Sequence, residues 1–134
     1  MALGSFCLVL HGHLPWVLNH GRWPHGEVWL FEAAAETYLP LLSVLETGDC
    51  AFTLGLTPVL LEQLGHPGFR ERFAEWLSEE LGRCQRDQLE FADRGDEHLA
   101  WLASEGERTV LAQMAQFKAL GGDIPGAFAR LAQA

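Results

Sequence analysis

Ser5-Phe6-Cys7-Leu8-Val9-Leu10, running directly into His11-Gly12-His13-Leu14-Pro15, is the stretch on which the fold turns. Residues 5–10 are a short apolar run rich in branched side chains. It breaks at the His-Gly-His triplet and again at Pro15, which predicts a buried strand. A second such run, Cys50 to Leu56, holds Phe52, Thr53 and Leu54 and follows the turn residues Gly48-Asp49, predicting a second buried strand. Between them, from about Val28 to Leu45, apolar residues recur at helical spacing: Leu30 or Phe31, Ala34, Tyr38, Leu41 or Leu42, and Leu45. Pro40 is expected to kink or break that helix. A strand, a crossover of about forty residues containing a helix, and a second strand make a parallel βαβ unit with a right-handed connection.

Working outward, Thr57-Pro58 closes the second strand in the order of a helix start, a hydroxyl cap then proline at the first helical position, and Val59 to Leu64 follow as a short helix. Pro67 opens a longer helix whose Phe69, Phe73, Trp76 or Leu77, Leu81 and Cys84 share one face. After Arg94-Gly95-Asp96, helical periodicity resumes through Leu99, Leu102, Val110, Met114 and Phe117 and ends at Gly121-Gly122, where a glycine can take the left-handed cap. Asp123 and Pro125 begin one more helix. A third parallel strand would be expected after it, so the sequence reads as an α/β fold: two parallel strands followed by several helices, the N-terminal portion of a larger protein without an internal boundary. Two strands leave open sheet edges, so the expected partner is the missing C-terminal part or a second copy through self-association.

Composition bounds the function. In 134 residues, 49% hydrophobic and 20% charged, one hydrophobic core is expected. Nine Lys and Arg against eighteen Asp and Glu give a formal charge of -9, which opposes nucleic acid and anionic membranes as partners. Cys7, Cys50 and Cys84 are odd in number and far apart, so no disulfide framework is expected and a reducing cytoplasm fits. No basic leader with a cleavage site is expected from the N-terminal residues. No apolar run is read as reaching the ~20 residues that span a bilayer.

The chemistry-bearing segment is Leu10 to Trp16, because ligand sites of parallel α/β folds lie beyond the carboxyl ends of their strands. His11 and His13 sit there. As an isolated motif, His-x-His is also met as one buried and one exposed imidazole. A turn through Gly12 would bring both rings toward one site, either for a divalent metal, as in metal-dependent hydrolases, or for sugar hydroxyls beside aromatic faces. Trp16, Trp23 and Trp29 cluster after the first strand. Trp16 and Trp23 are assigned to ligand stacking and Trp29 to the core, as are Trp76 and Trp101 on helical stripes. Glu27 is within reach of the same cleft, whereas Glu32, Glu36 and Glu46 fit solvated helix positions. His20, His25, His66 and His98 lack ligand spacing.

The segments His11 to Val17, Gly21-Arg22-Trp23-Pro24-His25-Gly26-Glu27, Glu32 to Leu42, Phe52 to Pro58 and Gly121-Gly122-Asp123 resemble, in order and spacing, the start of glycoside hydrolase family 57, most nearly its α-glucan branching enzymes. His13-Leu14-Pro15 corresponds to that family's first motif, often His-Gln-Pro. The resemblance implies an incomplete (β/α)7 barrel with a cleft for α-glucan (amylose, glycogen) and no cofactor or metal, with His11 and His13 at the donor subsite and Trp23 along the chain. It also implies retaining transglycosylation that makes α-1,6 branches in glycogen biosynthesis. That mechanism needs two carboxyl groups roughly 5 Å apart. The family's nucleophilic Glu and acid Asp have no counterpart here, so no catalytic residue is assigned and the isolated chain is expected to be inactive. The rival expectations are a His-x-His metal-dependent hydrolase and a non-catalytic α-glucan-binding module.

Overall fold

The computed structural model describes residues 4–48 and 52–133; Asp49 of the expected turn and Cys50 at the expected start of the second strand lie outside them. Strands β1 (Val9–Gly12) and β2 (Thr53–Leu56) are parallel neighbours, with Val9 opposite Thr53, Leu10 opposite Leu54, His11 opposite Gly55 and Gly12 opposite Leu56. The first strand is shifted from the apolar run that announced it, because pairing sets its ends. The Thr53 N–H donates to the Leu8 carbonyl at 2.9 Å and the Thr57 N–H to the Gly12 carbonyl at 3.1 Å, which carries the ladder through His11 and Gly12.

Burial on both faces, expected for β1, is not what the structure has. Val9 is 54% exposed and Phe6 90%, while Gly12 is buried. Successive residues of a strand face opposite ways. One face, with Gly12, Leu54 and Leu56, is covered from the helical side by Tyr38 and by Phe128 of α6 (Ile124–Leu131). The other, with Val9, His11 and Thr53, is open among the described residues.

The crossover helix is continuous: α1 (Glu27–Ala33), a π-helical segment (Ala34–Tyr38) and α2 (Leu39–Thr47). Pro40 does not break it. Proline lacks an N–H and its ring crowds the carbonyl four residues back, and the wider π turn just before it, in which the Leu39 N–H reaches the Ala34 carbonyl, absorbs the misfit. The π turn also sets which side faces inward. The buried residues Leu30, Ala34, Tyr38 and Leu42, with Phe31, Ala35 and Leu39, are spaced strictly by four. In a regular α-helix that spacing drifts about 40° per step, and the π turn cancels the drift. Because the helix is unbroken, Glu27–Thr47 is 21 residues long and, by length and composition only, apolar enough to cross a membrane, contrary to the reading of the sequence that cut it at Pro40. Its buried stripe equally marks the core helix of a folded domain.

The chain divides into two compact units, Met1–His66 with Ile124–Ala134, and Pro67–Asp123. The first adds α3 (Pro58–Leu64), where Thr57 caps as expected, its Oγ1 accepting from the Leu60 N–H at 3.4 Å. The second is a hairpin of α4 (Pro67–Asp93) and α5 (Glu97–Ala119). Its core is aromatic: Phe73 stacks on Phe69 at 5.2 Å and Trp76 at 5.9 Å, and meets Phe117 edge-on at 4.8 Å. Gly95, Gly121 and Gly122 take positive φ at the helix ends, as the sequence suggested for the last pair. Trp101 is not core but 55% exposed, stacked on His98. Within a two-helix hairpin, the stripe away from the aromatic cluster has no further layer to cover it. Trp29 is likewise 37% exposed, because it lies beside the four-residue stripe of its helix rather than on it.

Candidate functional site

His11 projects from the open face of β1 over Gly55. A Cβ at Gly55 would sit 3.2 Å from His11 Nδ1 and 3.3 Å from Cε1, so the absence of a side chain at position 55 makes the berth for the imidazole. Gly12 serves the opposite face. It is not the turn that the sequence suggested but a strand residue, and a Cβ there would meet Leu56 Cδ2 at 2.7 Å and Tyr38 Oη at 3.1 Å. The glycine lets the buried tyrosine close on the sheet, and burial raises the Tyr38 pKa. The single residue step from His11 to Gly12 thus separates an accessible imidazole from a buried phenol. His13, just past the strand, is also exposed. Thr57 lies at this same end, as its bond to the Gly12 carbonyl requires.

Two loops present the tryptophans. The first runs from His13 to Leu18, where Trp16 is 41% exposed while Val17 and Leu18 are buried. Its backbone is held by Gln63 of α3, which has no exposed surface. The Gln63 Oε1 accepts from the Val17 N–H at 2.7 Å and its Nε2 donates to the Pro15 carbonyl at 3.1 Å. No periodicity announces this residue. The only trace in the sequence is a polar side chain on the Leu60 and Leu64 face of an otherwise apolar helix.

The second loop leads from Asn19 to α1 and carries Trp23, 74% exposed. Backbone bonds from the Glu27 N–H to Gly21 (3.0 Å) and from the Val28 N–H to Arg22 (3.3 Å) close it at its base. A Cβ on Gly26 would fall 1.9 Å from the Gly21 carbonyl oxygen, so only glycine fits there. Glu27 belongs to this closure, its Oε1 accepting from the Asn19 N–H at 3.4 Å. His25 stands edge-on to Trp29 at 4.8 Å.

No group of three or more His, Cys, Asp or Glu able to hold a metal ion occurs among the described residues. Two cavities lie elsewhere: one of about 470 Å³ between β2 and α6, lined by Leu54, Leu56 and Phe128, and a groove of about 390 Å³ on the hairpin near Arg70 and Lys118. Neither includes His11, His13, Trp16 or Trp23. The candidate residues are therefore surface groups, His11 and His13 at the strand end and Trp16 and Trp23 on the two loops that follow.

No protein-family profile matches the chain. Over 80 residues it is 49% identical to a probable 1,4-alpha-glucan branching enzyme of Mycobacterium tuberculosis, an overlap of 56% of this chain and 15% of that protein. Over 128 residues it is 34% identical to a 1,4-alpha-glucan branching enzyme of Thermococcus kodakarensis, covering 92% of this chain and 18% of that one. Among solved structures it superposes on a GH57-type branching enzyme from Pyrococcus horikoshii with a TM-score of 0.88 and 34% identity, over 95% of this chain and 24% of the other. The chain thus spans less than a quarter of the length of these relatives.

Proposed function

This chain belongs with the GH57 branching enzymes, and from that premise we propose that it forms the first part of their sugar cleft, an incomplete (β/α)7 barrel acting on α-glucan. One observation supports the reading above others: the carboxyl end of β1 presents His11 and His13 to solvent, and the loops that follow hold Trp16 and Trp23 exposed. Hydroxyl groups of a neutral sugar take hydrogen bonds from imidazole, and the apolar face of a pyranose lies on an aromatic ring. His11 and His13 hold the donor sugar, and Trp16 and Trp23 carry the chain. A net charge of -9 is no obstacle to a neutral polymer.

Transglycosylation with retention requires a nucleophilic carboxylate and a carboxylic acid across the scissile bond. In this proposal both come from outside the chain, as does the rest of the barrel, which would cover the open face bearing Val9. The product is an α-1,6 branch in glycogen-type α-glucan, formed in a reducing cytoplasm that suits the free thiols Cys7 and Cys84.

The test is branching of amylose by the full-length protein, followed by iodine colour and branch content. His13→Ala should lower turnover, because a positioned contact to the donor sugar is lost. Trp23→Ala should chiefly raise the amylose concentration required. Wild-type turnover in the first variant together with wild-type amylose dependence in the second would remove the sugar-site assignment.

A further inference from the structure

We propose that Gln63 is a positioning residue that fixes Trp16 as a rigid sugar platform; this rests on the α-glucan reading of the site. Its two hydrogen bonds go to the Pro15 carbonyl and the Val17 N–H, the peptide groups on either side of Trp16. One side chain from 46 to 48 residues away therefore holds both peptide planes that define the Trp16 backbone dihedrals. The tryptophan makes no demand on the loop itself, since its ring is 41% exposed. Its neighbours Val17 and Leu18 are sunk into the core, so the backbone is clamped on one side by packing and on both peptides by the amide.

The chemistry of the choice is specific. The Leu60 and Leu64 face of α3 is otherwise apolar, and a buried primary amide is tolerated there only when its donor and acceptor are both used. A carboxamide accepts from an N–H through its oxygen and donates to a carbonyl through its nitrogen within one planar group, so one side chain serves both peptides. A ring held in place before ligand arrives loses less freedom on binding, and the gain appears in affinity rather than in turnover.

The test uses the full-length protein with Gln63→Met, which keeps the volume and removes both hydrogen bonds, and Gln63→Glu, which keeps an acceptor for the Val17 N–H. Three readouts are taken, hydrogen exchange at the Val17 amide, retention in amylose-containing native gels and kcat at saturating amylose, with Trp16→Ala closing a double-mutant cycle. Gln63→Met should speed Val17 exchange by about tenfold or more. It should weaken retention by about threefold to tenfold, as Trp16→Ala does, while kcat at saturating amylose changes little. In the Trp16→Ala background it should cost nothing further, because the platform it serves is gone. Unchanged Val17 exchange, or losses that add, would overturn the proposal. Should Gln63→Met fail to fold, Gln63→Glu decides: smaller losses in exchange and retention support the clamp, and wild-type behaviour in both overturns it. If wild-type protein is not retained by amylose, the α-glucan reading fails, and with it the sugar platform. Val17 exchange then still reports whether the clamp exists.

Discussion

The β1–β2 end of the first unit and the α4–α5 hairpin are built on different principles. The hairpin is held by like against like: Phe69, Phe73, Trp76 and Phe117 stack and meet edge-on, and each owes its position to a helical spacing visible in the sequence. The strand end is held by singular fits: Gly12 against Tyr38, Gly55 beneath His11, Gln63 on either side of Trp16 and Gly26 against Gly21. A repeated pattern tolerates substitution of similar for similar, whereas each singular fit depends on the particular residue that makes it. The groove on the hairpin holds no candidate residue, and the region of singular fits carries His11, His13, Trp16 and Trp23.

The contrast breaks most readily at Phe73. Phe73→Ala removes a fully buried ring with three aromatic neighbours and should cost about 3–5 kcal/mol of stability, measured by urea unfolding. A loss below 1 kcal/mol would mean that the hairpin does not depend on its aromatic cluster. Gly12→Ala puts a methyl where Leu56 and Tyr38 already stand and should cost about 1–3 kcal/mol by overpacking, with no ring removed. If alanine is accommodated freely, the tyrosine does not need the glycine.

Trp23→Ala sharpens the comparison from the other side. The ring is 74% exposed, so unfolding free energy should stay within about 0.5 kcal/mol. α-Glucan affinity should fall by about 1 kcal/mol. Equal losses in both measurements would return this tryptophan to a packing role.

The smallest effect is a slope with pH. Burial raises the Tyr38 pKa in the folded state, so the unfolded chain gives up that proton first as pH rises past about 10. Stability contributed by the neutral phenol is complete below that pH and declines above it. Tyr38→Phe should flatten this alkaline decline while leaving the neutral range little changed, which chemical denaturation at pH 8 and pH 11 would register. An unaltered slope would mean that other groups govern alkaline stability.

How much of this was legible follows from the same division. The strand–helix–strand order, the Thr57-Pro58 start and the long Pro67 helix follow from local chemistry, and local chemistry decided them. β1 was placed too early because its ends depend on hydrogen bonds to residues more than forty positions away, as from the Thr53 N–H to Leu8. Trp101 and Trp29 were assigned to a core because periodicity identifies a stripe without saying how much of it another layer covers. His11, His13, Trp16 and Trp23 could be named from their place after a strand. The residues that hold them, Gln63 and Gly55, could not, since each acts across the fold through a single contact.

The π-helical segment has a consequence for how the chain can vary in length. Loops commonly accept or lose a residue with little penalty, whereas a deletion inside a helix ordinarily rotates everything beyond it by about 100°. Between Ala34 and Tyr38 the situation is inverted: the wider turn holds one residue more at nearly the same total rotation, so losing one there would let a regular α-helix form without turning what lies beyond. Leu30 and Leu42 would stay within roughly 20° of alignment and still share a side. What would change is the clearance at Pro40, whose ring would then crowd a carbonyl of the preceding turn that the wider turn now carries aside. The covered face of the sheet, and with it the aim of His11 on the other face, would keep its register.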